Sequence, residues 1–444
     1  MSTVASARAG EAASHLYRRI DRRLLPFLLV CYLFACLDRL NVGLAKLHMQ
    51  GDLGFSEVQY GIGAGIFFIG YALCEVPSNL LLARTGARKA ISRILVLWGL
   101  TSAAMALTRD VGTFYALRFL LGVFEAGFTP GILFYLTFWY PPSRMANAIA
   151  VVMIGGPLAG VVAGPVSMWA MTAFSGRMGL AGWQWMFLIE GLPCVLLGLA
   201  ARKLLADTPA EAHWLTADQQ RRLAADVPPP STGPVRHGFA RMLTDPRIYL
   251  MAAAYFCIIC GIYLINFWLP ALLKSNGVTD PARLGAYSAI PFAFAALGMF
   301  VIGKRSDRRN ERRWHSAVPA LVSALALAVA AWMASGLVSV LASITVATAS
   351  MWMAYTVFWA IPPAYLKGTS AAGGIALINT IGVLGGFMSP IAIGWLRTAS
   401  GDFRAGLGLM VGVMAVGAVL LAAIRQSSAR REPHAILVAE TVEP

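Results

Sequence analysis

The sequence predicts an all-α polytopic membrane protein, with twelve transmembrane helices arranged as two six-helix halves. Three observations carry that prediction. The 444 residues are 58% hydrophobic and only 13% charged, against roughly 25% charged in ordinary soluble domains. Apolar runs of helical length recur twelve times along the chain, and the second half repeats loop and glycine patterns of the first. Twelve spans of about 20 residues each need about 240 residues, which the apolar content supplies. A soluble enzyme is excluded, because no soluble core hides so large an apolar fraction behind so little polar surface. A transmembrane barrel would show short alternating segments instead.

The runs justify the elements in turn. Residues 1–23 form a tail whose end, YRRIDRR, is basic and is followed by no small-residue cleavage site. Span one, 24–47, therefore reads as a retained helix and not as a signal peptide. Span two, 58–83, runs into a basic loop, Arg84 to Lys89. Spans three and four occupy 90–108 and 112–139, span five (145–171) carries the pair Gly155-Gly156, and span six covers 184–204. These six make a first bundle, 24–204. The longest non-membrane stretch, 205–246, holds DTPAEAHWLTADQQRRL, read as a short amphipathic helix, and then the Pro-rich linker PPPSTGP. The second bundle, 247–424, comprises 247–274, 284–303, 316–334, 337–362, 370–396 and 404–424, and residues 425–444 form a tail.

Charge placement sets the orientation. Net charge is +15, which in a soluble chain raises the question of nucleic acid; here the basic residues crowd into alternate short loops, and nucleic acid is not expected. The positive-inside rule then puts both termini in the cytoplasm, with the chain in the inner membrane. All six cysteines lie in apolar runs. Cys257 and Cys260 spell C-x-x-C, but a redox pair needs an exposed, electropositive setting, so both are read as small hydrophobes. No histidine stands inside a predicted span and no H-E-x-x-H occurs, so a membrane-embedded enzyme, a metal or a cofactor is not expected.

The halves look like copies of each other. The loop after span two, Asn79 to Lys89, aligns with the loop after span eight, Gly303 to Arg313, and Gly155-Gly156 aligns with Gly385-Gly386 at nearly the same offset. Six-plus-six repeats are how many secondary transporters build a midplane site between two rocking halves. The loop pattern Gly-x-x-x-Asp-Arg-x-Gly-x-x-Arg-basic resembles the signature of the major facilitator superfamily. In the second copy its aspartate and arginine are Asp307 and Arg308, with Asn310 in place of the glycine; in the first, Asn79 and Ala83 replace glycine and aspartate. LDRLNVGLAK, GIGAGIFFIGYALCEVPSNLLL, GWQWMFLIEG, NFWLPALL, SDRRNERRWH and GGIALINTIGVLGGF resemble the anion:cation symporter branch, above all its tartrate, phthalate and sugar-acid permeases.

Deep in the predicted spans stand Asp38 and Arg39, Glu75, Arg118 and Glu125. A charge at a helix centre costs roughly 2.5–3.5 kcal/mol on insertion scales, so such groups pair or line a wet cavity. At 1.5 Å per residue, Glu125 falls roughly 20 Å and Asp38 roughly 21 Å from the ends of their spans, both near mid-membrane. Arg118, Gly122 and Glu125 share one face of span four through their i, i+4, i+7 spacing. Asp38 and Glu125 then either tie spans one and four together or handle protons. Burial disfavours a charged carboxylate and a neighbouring guanidinium favours it, so an anion that engages the arginine favours protonation of the acid. Arg39 offers a planar fork suited to a carboxylate. Arg118 is open between binding substrate, orienting Glu125 and belonging to an outer gate, whereas Glu75 reads first as structural and otherwise as placed to close an inner gate with Arg84 or Arg88. Tyr71 and Trp359 offer aromatic walls, and Asn379 is a polar group in an apolar span, as Asn266 is more weakly. Two successive G-x-x-x-G steps in span five and one in span eleven read as packing and hinge surfaces.

The resemblance implies the major facilitator fold and proton-coupled uptake of a small organic anion, with an exporter or anion exchanger as the alternative. It implies proton handling by Asp38 and Glu125, anion binding by Arg39, pocket-lining roles for Tyr71, Trp359 and Asn379, and gating by the signature loops, Asp307 and Arg308 included. The expected partners are the anion, protons and the lipid bilayer, and the expected state is a monomer. A small apolar wall at Gly155 and Gly156 favours a less hydroxylated or aromatic carboxylate.

Overall fold

The computed structural model describes residues 2–227, 244–309, 311–365 and 370–424. Among them, twelve helices are long and apolar enough to cross a bilayer: His15–Leu53, Glu57–Glu75, Ala87–Leu107, Val111–Leu136, Asn147–Ala173, Gly182–Leu204, Pro246–Ser275, Pro281–Ser306, Arg313–Met333, Leu337–Phe358, Gly374–Ser400 and Arg404–Ala423. These are spans one to twelve. The helix of span one continues to Leu53, further than the apolar run that ends at 47, and takes in His48. The segment between the halves folds less than its pattern predicts: its helix is Ala217–Asp226, started by Thr216, whose hydroxyl accepts the Gln219 N–H at 3.3 Å.

Local chemistry explains where the spans begin. Ser56 and Gln59 form a capping box at the start of span two, satisfying two amides that would otherwise lack partners. Asp110 caps span four by accepting from the Thr113 N–H at 2.9 Å, and that bond holds its carboxyl below the usual range. Large apolar side chains stand exposed on the outer surface, as Leu192, Leu196 and Leu199 do on span six and Phe294, Leu297 and Val301 on span eight. In water such a surface would aggregate; in a bilayer it faces hydrocarbon at no cost.

The halves repeat one packing plan. In the first, span one lies on five, two on four and three on six; in the second, seven lies on eleven, eight on ten and nine on twelve. Adding six to each number turns one set into the other. Between the halves, span two meets eleven and five meets eight, a symmetric pair, while one meets seven across the axis. The face that carries the segment between the halves is called the linker side below, and the opposite face the far side.

The seam is closed on the far side. A Cβ added to Gly43 would lie 2.3 Å from the Asn266 carbonyl oxygen, one at Gly61 2.6 Å from that of Pro390, and one at Gly164 2.4 Å from that of Gly285. Only glycine lets backbones of opposite halves come this near. Gly155 and Gly156 do not form an open wall: both are buried against span one, at Leu29, Leu33, Tyr32 and Cys36. That corrects the substrate preference read from them.

At the linker side, Arg88 pairs with Asp207 at 3.4 Å and Glu211 at 3.6 Å. In the loop after span eight, Glu311 accepts from the Trp314 N–H at 2.7 Å and the His315 N–H at 3.1 Å, and its Oε2 lies 2.5 Å from His315 Nδ1. Partial burial works against the Glu311 charge, but those bonds outweigh it and hold the carboxyl below its ordinary value. A depressed folded value means that the stabilisation is present above the ordinary carboxylate range and lost as pH falls through the folded value. Glu311→Gln is therefore expected to lower stability by about 1 kcal/mol at neutral pH, as loss of a helix cap does. Thermal unfolding in detergent at pH 7 and at acid pH checks this, with the gap closing in acid.

Candidate functional site

Span four breaks at its centre. Its first helix ends at Glu125, Gly127 adopts φ +85°, and a second helix runs Phe128–Leu136. Only glycine takes that turn without strain. The sequence pattern predicted one continuous span, 112–139, because apolar periodicity passes through the break undisturbed. Glu125 thus ends a helix in mid-membrane, fully buried, and accepts from Arg39: Oε1 lies 2.8 Å from Nε and 2.5 Å from Nη2. The Arg39 side chain remains 22% exposed while Glu125 is wholly covered. Its guanidinium stands 5.5 Å from the Tyr71 ring centre and 5.9 Å from that of Phe67, an arrangement in which ring quadrupoles stabilise a cation.

Asp38 and Arg39 are neighbours in sequence but turn apart, as successive residues on a helix do. Asp38 is buried against span three, where it accepts from Trp98 Nε1 at 3.0 Å, from the Ser102 hydroxyl and from Asn41 Nδ2 at 3.4 Å. It makes no ion pair with Arg39. Arg118 is buried as well: at 1% exposure it donates to the carbonyls of Gly63 at 3.2 Å and Ala64 at 3.1 Å, with its guanidinium 5.0 Å from the Phe67 ring centre. The shared face of Arg118, Gly122 and Glu125 packs on span two, where a Cβ at Gly122 would sit 1.9 Å from the Phe67 carbonyl oxygen. Gly122 thereby draws Tyr71 and Glu125 to one level.

The inner-gate pairing expected of Glu75 is corrected. Glu75 reaches neither Arg84, which is exposed, nor Arg88, which is held by Asp207 and Glu211. It is buried instead and crosses between the halves, accepting from Asn379 Nδ2 at 2.7 Å and Thr380 Oγ1 at 3.4 Å. Depth explains the difference: Glu75 is more than two turns from the basic loop but level with Asn379. Asn379 Oδ1 in turn accepts from the Tyr255 hydroxyl at 3.5 Å, and the Tyr255 ring stacks on Phe358 and meets Trp359 edge-on at 4.9 Å. Tyr71, Glu75, Asn379 and Trp359 thus form one connected patch across the two halves. Arg308 is exposed, while the Asp307 side chain and Asn310 lie outside the described residues.

Several groups escaped sequence reasoning. Tyr255 carries no polar pattern that marks it among the aromatics of span seven. Glu190 in span six is a buried carboxyl bonded to the Ser167 hydroxyl at 2.6 Å; its charge within an apolar run was the signal for it. Lys46, Glu57 and Arg397 meet on the far side (Lys46 Nζ to Glu57 Oε2 2.6 Å, Arg397 Nη1 to Glu57 Oε1 3.2 Å). Each stands at a span end, where a charge looks like an ordinary loop residue. Among the described residues, no group of three His, Cys, Asp or Glu side chains is placed to hold a metal, and Cys257 and Cys260 are free and buried.

Comparison with known proteins agrees with this architecture. A putative metabolite transport protein, NicT, of Pseudomonas putida is 42% identical over 411 residues, covering 92% of this chain and 94% of its own. A putative tartrate transporter of Agrobacterium vitis is 41% identical over 417 residues, 94% and 92% of the two chains. A quinolone resistance transporter of Acinetobacter baumannii is 39% identical over 407 residues, 91% and 93%. In fold, the inward-open xylose transporter XylE from Escherichia coli superposes with a TM-score of 0.72 at 14% identity, over 92% of this chain and 97% of that one. The family described as Major Facilitator Superfamily matches residues 28–390, and with twelve spans in two like halves this multi-pass membrane protein, a transporter and not an enzyme, belongs to that family.

Proposed function

We propose that the protein takes up a small organic anion, a carboxylate such as tartrate, phthalate or a sugar acid, together with protons, by alternating access. The Arg39–Glu125 pair carries this reading. Arg39 is the partly open member and Glu125 the closed one, so an anion entering the cleft reaches the guanidinium first. Its carboxylate takes the planar fork that Glu125 held. Glu125 is then buried with no counter-charge, a state too costly to persist unless a proton neutralises it. Anion binding and proton uptake are linked in this way, and release of either restores the pair. Asp38, satisfied by neutral donors behind the cleft, is proposed as a second proton-handling group. Tyr71, Asn379 and Trp359 wall the anion, and Glu75 ties the two walls together. For Arg118 the packing on span-two carbonyls supports an orienting role within the first half.

Orientation follows from the Lys and Arg bias, which favours both termini in the cytoplasm and an inner-membrane location. We further propose a monomer built from the bundles 24–204 and 247–424. The relative named for quinolone resistance favours a second reading, export. Purified protein in liposomes separates the two. With acid outside and a carboxylate panel in the medium, labelled tartrate or phthalate is expected to accumulate above equilibrium and to leak out when the pH gradient is collapsed. Accumulation of no carboxylate, alongside gradient-driven movement of quinolones, overturns the uptake reading.

A further inference from the structure

The far-side cluster contains two cations and one carboxylate, divided unequally between the halves. Lys46 and Glu57 belong to spans one and two of the first half; Arg397 belongs to span eleven of the second. Lys46 is fully buried, with Nζ 3.6 Å from the Trp268 ring centre and 4.9 Å from that of Tyr60. The Tyr60 hydroxyl also crosses the seam, donating to the Phe267 carbonyl at 3.1 Å. Arg397 lies 4.2 Å from the Phe403 ring centre and touches Glu57 without hydrogen-bond alignment, its Nη1 lacking an aligned partner. The nearby acid Asp402 is turned to Arg404 at 3.9 Å.

This division has a consequence when the seam opens. Lys46 and Glu57 move together and stay a neutral pair. Arg397 is carried away on the other half and, among the described residues, no carboxylate of that half pairs with it. An open far-side mouth therefore presents one uncompensated guanidinium, beside Phe403 and Trp268, to anything arriving from that side. We propose that Arg397 is an entry subsite for the carboxylate of the transported anion, occupied by Glu57 when the far side is shut and by substrate when it is open. The proposal rests on the organic-anion reading above.

The sign of a KM change tests it. If Arg397 served only as a latch, removing it would populate the far-side-open state and lower the KM for uptake. As an entry subsite, its loss raises that KM. In liposomes with labelled tartrate and phthalate, Arg397→Gln is expected to raise the far-side KM about tenfold or more, the loss of a guanidinium–carboxylate contact, and Arg397→Lys to recover part of it. Glu57→Gln removes the competitor and is expected to lower the KM. A KM that is unchanged or lowered in Arg397→Gln while wild type transports overturns the subsite. The absence of wild-type uptake of any carboxylate overturns the underlying reading and the subsite with it. A label-to-label distance between Gly51→Cys and Ser275→Cys, with Cys36 and Cys74 replaced by alanine, reports the latch separately; it is expected to lengthen in both variants, and an unchanged distance overturns the assignment of Glu57 as the occupant of the shut state.

Discussion

Arg39→Ala is expected to abolish saturable uptake, with kcat/KM for the anion falling by more than about a hundredfold, because the change removes a partly exposed guanidinium and strands its buried partner. Breaking a buried pair from one side costs about 3–5 kcal/mol, and Glu125 is fully buried with Oε2 already lacking a partner. The single variant should therefore be both inactive and less stable. Glu125→Gln is expected to keep substrate exchange while losing proton-driven accumulation, since the amide can still accept from Arg39 but cannot change charge. The double variant separates the two effects: removing both charges returns the melting temperature towards wild type, yet uptake stays absent. Uptake, counterflow and thermal unfolding of the three variants check the scheme. Full accumulation by Arg39→Ala and Glu125→Gln would sink it.

Gly43→Ala is the second large effect. The new methyl carbon would stand 2.3 Å from the Asn266 carbonyl oxygen, a separation at which spans one and seven must part. The contact lies between the halves and not within one, so the fold survives while the closed far side does not. Turnover is expected to fall more than about tenfold, with stability changed by less than about 1 kcal/mol, in keeping with a shift of the equilibrium between states. Gly122→Ala provides the contrast. Its methyl would meet the Phe67 carbonyl oxygen at 1.9 Å inside the first half, and overpacking there costs about 1–3 kcal/mol of stability. Far-side accessibility to an impermeant thiol reagent, measured beside thermal unfolding, distinguishes a blocked seam from a damaged core.

How much of this was legible in the residues follows from what each signal depends on. The spans and their two-fold repeat were legible, because lipid imposes apolar runs of fixed length on every crossing helix. Arg39 and Glu125 were legible as a level, since rise per residue sets depth. Their pairing, and the turning of Asp38 towards Trp98 and Ser102, depend on rotation about the helix axis and on which neighbour lies there, which depth does not reveal. Glu75 was assigned to nearby basic residues in sequence, whereas its partner Asn379 lies 304 positions away. The Lys46, Glu57 and Arg397 contacts were hidden for a similar reason: span ends are where isolated charges are ordinary, and only the closed seam shows that they meet.

The break in span four bears on how the halves move. A bundle of six unbroken rods turns as one lever, so every group in it travels on a single arc. Here the rod that carries Glu125 has an elbow directly after it, at Ala126 and Gly127. We expect the segment Phe128–Leu136 to swing with the linker side while Glu125 keeps its place beside Arg39. On that expectation, opening of the linker side and release of the charge are mechanically separable, and binding chemistry sets their order.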